Sequence, residues 1–197
     1  MNRTSITTIR RLELQKAAYE VAYKHGFGAA TVEKIAQHAG ISKGVVHHYF
    51  DSKHHLIEYA TRYAHAIIGK AARERVTRAQ SPSERVWGII EANFLPEILT
   101  PGFFRLWFEA LDDKRLSYIF DIEERRVHSN LRFALKQLVD PKEAGDTAYA
   151  IMNLYDGFWA LASIDPELTR ETALLLIAEF VLELVPNFDM SAVKLRP

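Results

Sequence analysis

The chain is punctuated by helix starts and stops at intervals no sheet could accommodate. Ser81-Pro82-Ser83-Glu84 is a capping box with proline at the first helical position, where a missing N–H costs nothing. Thr100-Pro101 and Asp140-Pro141-Lys142-Glu143 repeat the device, and Pro96, Asp165-Pro166 and Pro186 each interrupt a helical run. Between these marks, apolar residues recur every three or four positions. The reading is helix over 9–25, 32–39, 42–48, 53–78, from Ser81 to Pro96, from Phe103 to about Leu111, 114–138, from Asp140 to about Ala162, and from Thr169 to Pro186. In the fourth helix the apolar stripe is taken as Leu56, Tyr59, Tyr63, Ile67 and Ala71. Asp51 or Ser52 caps that helix, and the tail from Asn187 is expected to fray. No segment alternates with period two long enough for a strand. The chain is therefore all-α, with an N-terminal three-helix domain over 1–52, a connecting helix over 53–80 and a C-terminal helical bundle over 81–190, about nine helices in all.

Composition removes several functions. There is no cysteine among the 197 residues, hence no disulfide, no thiolate metal site and no cysteine nucleophile. No apolar run reaches the ~18–20 residues that span a bilayer, and the first residues lack the apolar stretch of a signal peptide, so a cytoplasmic location is expected. The formal net charge of zero conceals a split: residues 1–80 carry an excess of seven positive charges, and 81–197 the same excess of negative ones. A basic front suits a polyanionic partner.

Residues 32–49 pair two short helices across Ala39-Gly40-Ile41, the spacing of a helix-turn-helix. Ala36 is small enough for the helices to cross closely, Gly40 can take the positive φ of the tight turn, and Ile35, Ile41 and Val46 supply the apolar contacts. The remaining face, Ser42, Lys43, Gly44, Val45, His47 and His48, is suited to a DNA major groove. Lys43 can donate to guanine and Val45 can meet a thymine methyl. Tyr49, Lys53 and the helix start capped by Thr31 are placed for phosphate. A metal-responsive sensor using the N-terminal histidines is the alternative, but adjacent pairs such as His47-His48 and His54-His55 diverge by ~100° on a helix. His54 and His55 are read as surface residues, and no metal is assigned.

The block from Thr31-Val32-Glu33-Lys34-Ile35-Ala36 through Gly40-Ile41-Ser42-Lys43-Gly44-Val45 to His48-Tyr49-Phe50-Asp51-Ser52-Lys53 resembles the N-terminal signature of the TetR family of transcriptional regulators. His47 stands where that family usually carries an aromatic residue. The resemblance implies a homodimer that binds a double-stranded, pseudo-palindromic operator, usually as a repressor released by a small molecule, with no cofactor.

The rear half holds aromatic residues the front does not use, and most of them belong in a core. Candidate ligand contacts are Phe103, Trp107, Tyr118, Arg126, Tyr149, Asn153, Asp156 and Trp159, with Glu109 and His128 as further polar candidates. Of the last two long helices, the first carries a broad apolar surface around Gly157 and the second is apolar nearly all round, which a partner subunit would cover. Tyr155, Phe158, Leu161, Leu174, Leu175, Ala178 and Leu182 are the candidate dimer contacts. Leu154-Tyr155-Asp156-Gly157-Phe158-Trp159 is similar to a segment of the TetR subgroup of choline-responsive repressors of glycine-betaine synthesis, which implies a quaternary ammonium effector drawn to aromatic faces. No nucleophile elbow, phosphate loop or zinc-protease motif is present, and Asp112-Asp113 and Glu123-Glu124 read as solubilising pairs, so no enzyme is expected.

Overall fold

The computed structural model describes residues 6–26, 28, 30–101, 104, 107–108 and 113–195. Among them are eight α-helices: α1 (Ile6–His25), α2 (Val32–His38), α3 (Lys43–Tyr49), α4 (Lys53–Arg78), α5 (Pro82–Ala92), α6 (Lys114–Leu135), α7 (Ala144–Ile164) and α8 (Arg170–Leu184). A single 3-10 turn, Met190–Ala192, follows, and no strand occurs among the described residues. Pro101, Phe104, Trp107 and Phe108 are helical; the rest of the helix expected over 103–111, Phe103 and Glu109 included, lies outside the described residues.

The caps fall where short polar residues precede apolar runs. Thr31 accepts from the Lys34 N–H, Ser42 from Val45, Ser81 from Glu84 and Thr169 from Thr172. Glu84 reaches back past the cap and accepts from the Gln80 N–H at 2.6 Å, one residue before the Ser81 N–H that a capping box uses. Ser52 rather than Asp51 caps α4, through the His55 N–H. Asp140 behaves differently from expectation. Its carboxylate accepts from the Lys142 N–H and closes a turn, so α7 begins only at Ala144, without a side-chain cap.

The chain divides into two compact units, residues 1–66 with 101–119, and 67–100 with 120–197. This differs from boundaries at 52 and 80, because the first half of α4 is an integral part of the first unit. There the buried stripe of α4 is Leu56, Ile57, Ala60, Thr61 and Ala64, not the expected line through Tyr59 and Tyr63. Those two tyrosines flank it, Tyr59 against Phe50 at 5.4 Å and Tyr63 against Tyr19 at 5.9 Å between ring centroids. His55, expected at the surface, packs edge-on against both Phe50 and Tyr59. His65 is half-buried with its Nε2 out of reach of solvent, and desolvation lowers its pKa to about 4, so it stays neutral.

The second unit is built on the apolar faces of α5, α7 and α8, including Val86, Trp87, Ile90, Phe94, Ile151, Leu174, Ile177 and Val181. Two guanidiniums enclose one carboxylate inside it. Glu91, 1% exposed, meets Arg75 Nε at 2.8 Å and Arg170 Nη2 at 3.8 Å. Arg170 also donates to the Phe94 carbonyl. The described part of the tail is packed rather than frayed: Phe188 and Ala192 are buried, Asn187 donates to the Leu138 carbonyl, and the Asp189 N–H donates to Ser83.

Gly88 marks the closest approach of α4 and α5, since a Cβ there would sit 2.8 Å from Arg75 Cβ. Alanine is favoured over glycine in a helix by ~1 kcal/mol, but overpacking against the base of a side chain costs ~1–3 kcal/mol. Gly88→Ala is therefore expected to lower the unfolding free energy by about 1 kcal/mol in urea titrations. A gain in stability would show that the two helices part without cost.

Candidate nucleic-acid interface and effector site

Helix α3 has seven residues, too few to persist alone in water. It is held by one cap and one apolar anchor at each turn. Val46 is 1% exposed and Phe50, just past the end, 2%. Ile35 and Ala36 of α2 are buried too, while Ile41 is only half-buried. Between the helices Gly40 has φ 66°, a conformation that a Cβ disfavours, and Ile41 N–H closes the turn on the Ala36 carbonyl.

With Val46 turned inward, its neighbours face out. Ser42, Lys43, Gly44, Val45, His47 and His48 are all exposed, the set the sequence assigns to the groove. Tyr49 is half-buried and meets the His48 ring edge-on at 5.1 Å. Thr31 is exposed at the start of α2, where Lys34 N–H is already committed to its hydroxyl. Lys53 is half-buried, and its ammonium donates to the Gly28 carbonyl at 3.1 Å, which holds it beside the loop before α2. His38 and Glu20, 2.8 Å apart, link α2 to α1. His54 faces Asp113 at 3.6 Å, and Asp113 caps α6 through the Arg115 and Leu116 N–H groups. These pairings lower the Asp113 pKa, the Leu116 bond foremost. No three His, Asp or Glu side chains converge among the described residues, so the histidine pairs build no metal centre there.

The candidate effector residues fall in both units. Trp107, half-buried, and Tyr118, exposed, belong to the first; Arg126, Tyr149, Asn153, Asp156 and Trp159 belong to the second. Tyr149 stacks on His128 with centroids 4.0 Å apart, and the His128 ring is within hydrogen-bond distance of the Gly145 carbonyl. Asn153 donates to the Tyr149 carbonyl, and exposed Arg126 pairs with Glu123 of its own helix. Trp159 is buried. Asp156 is half-buried, and desolvation, then the Glu124 charge, raises its pKa to about 7. Glu124 is raised as well, by desolvation first and Asp121 second. Glu124 reads in the sequence as one of a solubilising pair. The only hint of its role is the four-residue spacing that puts it on the same face of α6 as His128.

The candidate dimer residues separate by burial. Leu161, Leu175 and Leu182 are exposed, and Phe158 is half-buried, 6.2 Å from Phe180. Tyr155, Leu174 and Ala178 are buried within the subunit, so they serve its own core instead. Burial holds the Tyr155 phenol well above its usual pKa.

Comparison with known proteins identifies the architecture. Residues 14–60 match the model for bacterial regulatory proteins of the tetR family, and residues 82–186 that for the C-terminal domain of BetI-type transcriptional repressors. The chain belongs to the TetR family, in its BetI-type branch. The HTH-type transcriptional regulator BetI of Vibrio vulnificus is 30% identical over 173 residues, covering 85% of this chain and 87% of its own. BetI of Vibrio parahaemolyticus is 29% identical over 191 residues, with 92% and 94% covered. A putative transcriptional regulator from Pseudomonas aeruginosa superposes with a TM-score of 0.75 at 23% identity, covering 92% of each chain. One from Saccharomonospora viridis, solved in complex with choline, superposes with a TM-score of 0.75 at 16% identity, covering 89% of this chain and 96% of its own. The protein is thus a DNA-binding transcriptional regulator and not an enzyme. No helix among the described residues is long and apolar enough to cross a membrane.

The Asp156 carboxyl makes this TetR-family fold sensitive to pH. With the folded pKa near 7 and the unfolded one near ~3.9, both states are protonated in strong acid. As pH rises between those values the unfolded chain ionises first, so stability falls, and the loss is complete above the folded value. Because neutral His65 acts in the opposite sense over the same range, the effect is read against the variant: Asp156→Asn is expected to shift the difference in unfolding temperature between pH 5 and pH 8 in favour of pH 8. An unchanged difference in the variant would assign the effect to other groups.

Proposed function

We propose that the protein is a homodimeric repressor that reads a two-fold symmetric operator through residues 42–48 of each subunit and releases it on binding a quaternary ammonium effector of the choline class. The observation that carries this reading is the outward edge of α3 around buried Val46, in the basic part of the chain. Lys43 donates to a guanine edge and Val45 meets a thymine methyl. His47 and His48 line the same groove. Thr31, Tyr49 and Lys53 contact phosphates, which fix register without reading sequence.

Two copies are needed for a palindromic site, with recognition helices ~34 Å apart. The exposed apolar residues Leu161 and Ile164 of α7, with Leu175, Leu182 and Leu184 of α8, supply the surface for pairing, and the TetR resemblance implies a four-helix bundle there. For the effector, half-buried Asp156 and nearby Glu124 offer negative charge, and Tyr149 and Trp159 offer aromatic faces, the combination that suits a desolvated organic cation. The choline bound to the Saccharomonospora viridis relative supports the same chemistry. Effector binding weakens the operator complex only through unequal affinity for the two states of the dimer, in the cytoplasm where operator DNA is found.

Three measurements test these assignments. In fluorescence anisotropy, Lys53→Ala is expected to weaken binding to all duplexes alike and reduce the salt slope by ~1, whereas Lys43→Ala shifts preference among operator variants. Equal loss of specificity in both would contradict the division. Leu175→Arg is expected to yield a monomer in light scattering, and a dimer of unchanged stability would place the interface elsewhere. Choline is expected to release heat in calorimetry and to lower operator affinity; silence at about 10 mM, some two orders above a ~100 μM Kd, removes it as effector.

A further inference from the structure

Within the second unit a cavity of about 200 Å³ opens between the end of α4, the start of α5 and the C-terminal tail. It lies apart from the Glu124, His128, Tyr149 and Asp156 group, none of which lines it. Its charged lining is Arg75, Arg78, Lys194, Glu84 and Glu91, and Trp87 forms part of its wall. The two carboxylates are already engaged: Glu91 with Arg75 and Arg170, Glu84 with Lys194 at 3.3 Å and with the Gln80 N–H. Counting Arg170 behind Glu91, with its second partner Glu171 at 3.7 Å, the cluster holds four cations against three carboxylates.

A buried donor is also left over. Trp87 is 2% exposed, and its indole Nε1 is buried with no hydrogen-bond acceptor among the described residues. An indole N–H is a donor only, and a buried donor without an acceptor is destabilising, so such groups mark places where something else supplies one. The Arg78 guanidinium, at the end of α4, has no carboxylate partner among the described residues. Excess positive charge, an unmatched buried N–H and an adjoining polar cavity call for the same missing thing: an anion with acceptor oxygens.

We propose that this cavity is a binding site for a small oxyanion, a carboxylate or phosphate group, that accepts from Trp87 Nε1–H and is held by Arg78 and Lys194. Guanidinium and ammonium donors to an anionic oxygen are roughly twice as strong as neutral pairs. Arg75, already held on Glu91, adds its field without leaving that carboxylate. The site is distinct from the effector site proposed above and from the operator edge. Its occupant ties the C-terminal tail to α4 and α5, so binding stabilises the second unit.

The test uses the full chain with inorganic phosphate and with succinate, each titrated against sodium chloride at matched ionic strength. Either anion at ten times its Kd is expected to raise Tm by about 3–5 °C over the chloride control. Phosphate alone, succinate alone or both identify which oxyanion geometry fits. Arg78→Gln, an exposed change with no bearing on the core, is expected to weaken binding at least about fivefold, as loss of one charge-assisted contact does. Trp87→Phe removes the N–H together with the five-membered half of the indole, so its folded state is checked by circular dichroism, and it is expected to weaken binding about threefold to tenfold. No shift beyond chloride with either anion at about 10 mM overturns the proposal, as does unchanged affinity in Arg78→Gln. Choline titration of the same variants reads the other site independently and is expected to be unaffected.

Discussion

The edge proposed to read DNA depends on the burial of one valine. Helix α3 is too short to be stable by its own hydrogen bonds, so its orientation is whatever its anchors impose. Val46 is drawn into the first unit with Ile35, Ala36 and Phe50, and Gly40 bends the chain so that this burial is reached without strain. Once that side is fixed, helical geometry decides the rest: residues on the other sides of Val46 have nowhere to go but outward. On the proposed reading, specificity for DNA is a by-product of packing, in that the side chains available to a groove are those the core did not take.

The second unit is organised by a different constraint, a charged one. Enclosing Glu91 between Arg75 and Arg170 costs desolvation that close pairing offsets only with good geometry. In exchange α4, α5 and α8 are tied at a defined register, since all three contribute a member. Gly88, one turn before Glu91, lets α4 come close enough for Arg75 to reach it. The acid on α7, Asp156, is of the opposite kind. It is half-buried near another carboxylate, paired with no cation among the described residues, and desolvation and that neighbouring charge raise its pKa.

Most of the first unit was legible in the sequence because local rules and packing agree there. Thr31, Ser42 and Gly40 have roles set by a few neighbouring residues, and the alternation of Val46 with exposed Val45 and His47 follows from helical spacing. The stripe on α4 was misplaced because tyrosine satisfies an apolar pattern while keeping its hydroxyl near water, so Tyr59 and Tyr63 flank the core rather than enter it. Asp140 was misread for a related reason: a cap and a turn use the same side-chain oxygen and differ only in where the chain goes next. In α7 and α8, residues apolar on all sides carry no phase, so Tyr155, Leu174 and Ala178 could not be separated from Leu161 and Leu175 without coordinates. The cavity beside Trp87 left no trace in the sequence, since its lining comes from positions 75 to 194.

The packed tail bears on the order in which the molecule can complete itself. Ser83 receives the Asp189 N–H from 106 positions away, and Glu84 meets Lys194 from 110. During synthesis, the start of α5 leaves the ribosome long before its cover does, and waits with Ser83 and its neighbours bare. Closing so wide a loop is slow compared with forming the local pairs of the first unit. A nascent chain stalled after residue 119 but before that closure would present a complete first unit beside an unsealed second one, the form most open to chaperones and proteases.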